Sequence, residues 1–246
     1  MTGRPTCFPS PGTVARARGT AFALGAVLLA SLSAMTGPAG AASDAATIEG
    51  TAEVVDGDGL KIGHVAIRIH GIDAPEVEQS CPTRSGGSWA CGTEATNYLH
   101  TLAGGRAVSC EALDRDAYGR IVARCRVDGA DVAAAMIEAG LAWAYVEYSS
   151  DYAAGEAAAK ADGQGVWQAV AQAPWDYRAD RWARAVEAAP GGCPIKGNIS
   201  AKDERIYHTP WSPWYGRTRI TEAKGERWFC DEAEAQAAGW RAAEGR

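Results

Sequence analysis

The sequence predicts a mainly β fold with helices, an α+β arrangement in which a small closed barrel precedes a small C-terminal module. Three observations predict it. Short apolar-alternating runs, separated by Gly- and Asp-rich turns, recur between Thr51 and Val127, as short antiparallel strands do. Alanine-rich stretches with helical spacing interleave with these runs and follow them. Beyond about Ala169 the composition changes to a connector and then a Trp- and Cys-containing tail. Five short strands followed by helices fit a closed barrel, with an OB-like barrel as the leading candidate.

Thr51–Val55 and Leu60–Gly63 read as strands around the turn "DGDG". In Val65–Ile72, Val65, Ile67 and Ile69 fall on one face and Ala66, Arg68 and His70 on the other. Thr93–Leu102 has helical spacing. Ala107–Leu113 and Arg120–Val127 are strands around "DAYG". Val132–Ala139 is a helix stopped by Gly140, and Asp151–Gly163 is a second alanine-rich helix with Asp151 placed as its N-cap. Residues 169–192 look like a connector with a short helix, closed by Pro190-Gly191-Gly192. The expected organisation is therefore 42–168 for the barrel domain, 169–192 for the linker and 193–246 for the module.

Residues 1–41 are expected to be a cleaved export signal. Arg4, Arg16 and Arg18 precede the uncharged run Thr20–Met35, the Gly37-Pro38 breaker and the small-x-small site Ala39-Gly40-Ala41. That run is shorter than the ~20 residues a membrane span needs, and no later segment approaches that length. Six cysteines remain after Cys7: Cys81, Cys91, Cys110, Cys125, Cys193 and Cys230. An even number in an exported chain argues for disulfides, with ~15 possible connectivities. Sequence proximity favours 81–91, 110–125 and 193–230, and a hairpin at "DAYG" would set Cys110 and Cys125 opposite each other.

Charge restricts the partners. The full chain carries 24 basic and 30 acidic residues, and residues 42–168 carry 9 and 19. A domain that grips nucleic acid through a broad basic face would not have this balance. Contact with a polyanion must be local, or a bound cation must supply positive charge.

Against that background the carboxylates near strand ends stand out: Asp56 and Asp58 in "VVDGDG", Asp73 and Glu76 in "IDAPE". If the first and third strands are neighbours, both groups emerge at one end of the sheet. Carboxylates and a backbone carbonyl are the oxygen donors that hard cations such as calcium take. Arg68 and Arg120 add guanidiniums that fork onto phosphate oxygens, and Glu76 is placed to activate water. The set describes phosphoryl chemistry.

"VVDGDGLKIG", "IRIHGIDAPE", "DAYGR" and "GLAWAYVEY" occur in the order and approximate spacing of the thermonuclease, or staphylococcal-nuclease-like, family, which the chain resembles over roughly residues 47–167. The resemblance implies an OB-fold barrel with three helices and calcium-dependent hydrolysis of DNA and RNA, leaving 3′-phosphate ends. It implies Ca2+ held by Asp58 and Asp73 and by the carbonyl of Ala74, with Asp56 behind them. Glu76 would be the base, Arg68 and Arg120 the phosphate clamps, and Tyr118 and Tyr145 nucleotide contacts. Four departures stand out. Gly59 replaces the family's usual threonine, which is expected to loosen the turn, and Ala74 replaces a threonine. Ala117 and Glu147 stand where lysine and a tyrosine or basic residue occur, which predicts weaker substrate binding.

His70 reads as a passenger, because calcium does not favour imidazole. The tryptophans at 143, 167, 175 and 182 read as packing. The tail, from Cys193 on, resembles a small module called the sunset domain. Cys193, His208 and Cys230 lack a fourth zinc ligand, so a disulfide with a structural histidine is the favoured reading. Trp211, Trp214, Tyr215, Arg217 and Arg219 offer a surface for nucleic acid or cell envelope. The expectation is an exported, monomeric, calcium-dependent nuclease, secreted or periplasmic, without stable membrane insertion. The alternatives are a non-catalytic nuclease-like protein that binds nucleic acid or envelope, and a barrel that is a relic beside an envelope-binding tail.

Overall fold

The computed structural model describes residues 46–243; the expected export signal lies outside them. Five strands form the barrel: β1 (Thr47–Val54), β2 (Gly59–Ile62), β3 (Val65–Ile69), β4 (Ala107–Arg115) and β5 (Ile121–Val127). They lie in the order β3-β2-β1-β4-β5, and parallel pairing of β3 with β5 closes the ring. Closure leaves those strands no free edge. Leu60, Ile62, Ile67, Ile69, Val108 and Ala123 fill the interior, each 7% exposed or less. Val65 departs from the expected inward face and is 37% exposed, because it opens β3 at the hairpin end of the sheet.

Helix α1 (Cys91–Ala103) buries Ala95, Leu99 and Ala103, a helical i, i+4, i+8 stripe, in the same core. Helix α2 (Val132–Glu138) begins where the Asp131 side chain accepts from the Ala134 N–H at 3.1 Å. It is followed by Gly140 at φ 64°, a conformation that favours glycine. Helix α3 (Ala153–Asp162) starts later than the sequence predicts, and no side chain caps it. Asp151 pairs with Arg124 and lies 3.5 Å from His70 instead. A charged partner on the neighbouring strand outcompetes a neutral amide at the cap.

Disulfides join Cys81 to Cys91, Cys110 to Cys125 and Cys193 to Cys230. Cys110 and Cys125 are direct partners across the β4–β5 hairpin, with Cα atoms 4.0 Å apart.

The connector is more structured than its composition predicts. Helix α4 (Pro174–Ala188) runs for 15 residues, with proline in its first turn. Its residues 175, 178, 182 and 185 recur at helical spacing. Beyond it, β6 (Ile195–Ile199), β7 (Arg205–His208), β8 (Arg227–Phe229), helix α5 (Glu232–Ala237) and β9 (Arg241–Ala242) form the module. The sheet order is β8-β6-β7-β9. Ile195, Tyr207, Phe229, Ala235 and Trp240 make its core, and Trp182 of α4 packs against it. His208 sits 2.8 Å from the Asn198 amide oxygen, and burial pushes its pKa down to about 4, so it is a neutral, structural histidine. Among the described residues, no helix is long and apolar enough to cross a membrane.

Candidate active site

The β1–β2 turn and the end of β3 meet at one rim of the barrel. Within the turn, Val55 N–H donates to the Gly59 carbonyl at 2.9 Å, and Asp58 N–H donates to the Asp56 carboxylate at 3.2 Å. The Asp58 carbonyl accepts from Ile69 N–H at 2.8 Å, which pins the turn to β3. Gly59 sits directly against the Asp56 carboxylate. A Cβ there would lie 2.6 Å from Asp56 Oδ1, so glycine lets the Asp56 carboxylate fold back over the turn.

Arg68 reaches across this rim. One guanidinium nitrogen donates to Asp58 at 3.1 Å and the other to Asp73 at 3.0 Å. Asp58 is 6% exposed and Asp73 is fully buried. The second Asp58 oxygen accepts from Ala74 N–H at 3.1 Å. Burial opposes the charge on Arg68, but Asp58 and Asp73 outweigh it and hold the guanidinium above its ordinary pKa. Asp73 itself is fixed by a short antiparallel bridge to Trp143.

Glu76 follows in the same loop. Its N–H donates to the Gln79 side chain at 3.2 Å, and its carbonyl accepts from Gln79 N–H at 2.7 Å. Burial pushes its carboxyl up to about 7, while Arg178 pulls the other way. Gln79 and Arg178 lie outside the sequence motifs singled out above. Arg178, on α4, forks onto both Asp73 oxygens at 2.7 and 3.1 Å and donates to Glu76 at 2.8 Å. A signal was present: Arg178 is the one charged residue on the 175-178-182-185 face of α4.

Arg120 and Tyr118 form a second cluster. Arg120 immediately precedes β5, two residues before Val122, the register partner of Arg68. Its backbone N–H and its guanidinium both donate to Asp116, at 2.9 and 2.7 Å, and the guanidinium lies 5.5 Å over the Tyr118 ring. Tyr118 is half exposed; burial and then Glu232 of α5 push its phenol up. Tyr145 is held through its N–H to the Gly71 carbonyl at 2.9 Å, with its ring stacked on Trp175 of α4. The structure therefore brings Asp56, Asp58, Arg68, Asp73, Ala74 and Glu76 into one network. It sets Tyr118 and Arg120 in another, and Tyr145 beside α4.

Among the described residues, no three His, Cys, Asp or Glu side chains gather as a ready metal cage. The donors at the rim are nonetheless hard oxygens, and Arg178 already stands among them as a cation. In charge and chemistry, Asp58, Asp73 and the Ala74 backbone fit a hard divalent ion.

A closed barrel whose rim carries linked carboxylates and arginines defines a nuclease-like OB-fold protein. The family model described as "Staphylococcal nuclease homologue" matches residues 66–169, and one described as "ArfC" matches residues 177–242. The succinoglycan biosynthesis protein ExoI of Rhizobium meliloti is 40% identical over 152 residues, 59% of this chain and 75% of that protein. The probable staphylococcal-like nuclease CAN1 of Oryza sativa is 33% identical over 118 residues, 47% of this chain and 33% of that one. An uncharacterized endonuclease of Escherichia coli is 35% identical over 103 residues, 40% of this chain and 61% of that one. The chain belongs to the staphylococcal nuclease homologue family and carries an ArfC-like module at its C-terminus. It spans less than two thirds of the rice and E. coli relatives.

Proposed function

We propose that this chain is an exported phosphodiesterase that hydrolyses DNA and RNA with the help of calcium, leaving 3′-phosphate ends. The observation that carries the reading is Arg68 bridging the buried Asp58 and Asp73 beside Glu76. Two rigid carboxylates and a bridging guanidinium are pre-organised for a phosphoryl group, and electrostatic positioning supplies most of the catalysis such reactions need. Asp58 and Asp73, with the Ala74 carbonyl, would hold the ion, and Asp56 would keep Asp58 oriented. Bound calcium would offset charge on the scissile phosphate.

The residues divide the remaining work. Glu76, with a carboxyl near neutrality, takes a proton from the attacking water. Arg68 and Arg120 bind non-bridging phosphate oxygens, and Tyr118 and Tyr145 position the nucleotide. Outside these groups the domain is acidic, so affinity should have a shallow salt dependence.

The test is cleavage of single-stranded DNA by the mature protein, with calcium or a chelator, beside Glu76→Gln. The expected loss for the variant is ~10²–10⁴-fold; calcium-independent cleavage, or equal cleavage by the variant, would overturn the mechanism. One observation favours a second reading. Arg178 already neutralises Asp73 and Glu76, as it would in a nuclease-like protein that binds nucleic acid or envelope without cutting. That reading predicts binding of the same DNA with no cleavage under any metal condition.

A further inference from the structure

Arg178 is 105 and 102 positions away in sequence from the two acids it holds. Asp73 is fully buried, and a carboxylate so placed needs an opposite charge and hydrogen bonds to its remaining lone pairs. Arg68 supplies one bond and Arg178 supplies two. Asp73 Oδ1 thus accepts from both guanidiniums, and Oδ2 accepts from Arg178 alone. A divalent ion reaching Asp73 would meet an acceptor already bonded and a positive charge beside it.

The rest of α4 reinforces this placement. Before the helix, the Gln172 carbonyl accepts from the buried Gln79 amide at 2.7 Å. Trp175 stacks on Tyr145, and one turn past Arg178 the Arg181 guanidinium lies 3.5 Å from Glu78. Gln172, Arg178 and Arg181 thus meet the loop that carries Asp73 and Glu76, and Trp175 meets Tyr145. The C-terminal region turns a cation to the acidic half of the site.

We propose that α4, with the module behind it, is a charge-matched closure of the site, in which Arg178 holds the cation position until a divalent ion displaces it. The inference rests on the calcium reading above and adds an exchange step to it. Calcium binding and the Arg178–Asp73 fork exclude one another, so calcium loosens α4 and uncovers Tyr145. Apparent calcium affinity is then the intrinsic affinity reduced by the share of molecules in which Arg178 is docked.

The experiment is calcium titration by calorimetry of the full chain, comparing wild type, Arg178→Gln, Arg178→Lys and Asp73→Asn. Amide exchange of 174–185 is followed with and without calcium. Arg178→Gln should bind calcium at least ~10-fold more tightly than wild type. Lysine keeps the charge but cannot fork, so Arg178→Lys should fall between them. Asp73→Asn should lose binding, and calcium should speed exchange in α4 of the wild type. Equal or weaker affinity in Arg178→Gln, with binding still lost in Asp73→Asn, would overturn the exchange and leave the calcium site standing. No calcium binding by any folded variant would overturn both readings. If Arg178→Gln does not fold, Arg178→Lys decides: affinity equal to wild type, with no change in α4 exchange, would overturn the inference.

Discussion

Trp175 and Tyr145 stack nearly flat, with ring centroids 5.7 Å apart and planes 11° from parallel. The pair joins α4 to the segment after the two-residue bridge that fixes Asp73. Aromatic pairs of this kind contribute ~0.5–1.5 kcal/mol beyond area burial. Trp175→Ala should therefore lower stability by about 1–3 kcal/mol in urea unfolding, with Trp175→Phe nearer wild type. An alanine variant as stable as wild type would mean that the stack carries no docking energy.

Glu76 gives a pH dependence with a definite sign. Its carboxyl is raised from 4.5 to about 7, chiefly by burial. The folded state then binds more protons than the unfolded state between those values, so stability falls as pH rises through that window. The full separation corresponds to at most about 3 kcal/mol. Unfolding in chelator should show wild type losing stability from pH 4.5 to 7, and Glu76→Gln losing much less. Equal slopes for the two proteins would remove Glu76 as the titrating group.

Gly92 controls the Glu76 loop through space. A Cβ at position 92 would lie 1.6 Å from the Glu76 carbonyl oxygen, a backbone atom that cannot rotate away. Gly92→Ala should lower the melting temperature and reduce cleavage of single-stranded DNA together. Gly216, where a Cβ meets nothing within 4 Å, is the matched control, and Gly216→Ala should leave both properties unchanged.

The Cys110–Cys125 bond closes a 15-residue separation across the β4–β5 hairpin, whose turn carries Tyr118 and Arg120. Constraining a loop of that length contributes about 3 kcal/mol. The double replacement Cys110→Ala/Cys125→Ala should show that loss in urea unfolding, without any change in calcium affinity. A change in calcium affinity would mean that the hairpin and the carboxylate rim are coupled more closely than their separate networks indicate.

Much of the barrel was legible because the local signals agreed with one another. Ile67 and Ile69 alternate with Arg68, and Gly140 and Gly163 stop helices in the left-handed conformation that favours glycine. The rim was legible as a set of residue types, since Asp58, Arg68 and Asp73 are close in sequence and lie in a turn and strand segments that meet at one rim. Arg178 was not, because its partners come from the far side of the chain and no local pattern encodes a tertiary ion pair. At Gly59 the sequence was silent for a related reason. A missing side chain says nothing of the neighbour that occupies its space, here the Asp56 carboxylate. Asp151 had the right residue type for a cap, but the helix begins later and Asp151 pairs with a strand arginine that only the folded barrel brings near.

Helix α4 has a further consequence. Trp175 and Arg178 belong to the barrel side, while Trp182, two turns on, packs with the module core. One rigid rod is thus a structural member of two hydrophobic cores, and neither can melt without stripping a wall from the other. Nuclease-like barrel and ArfC-like module match different family models, yet thermodynamically they share a spine. A substitution in the module core, at Phe229 or Trp240, would be felt at Asp73 without any residue of the rim being touched.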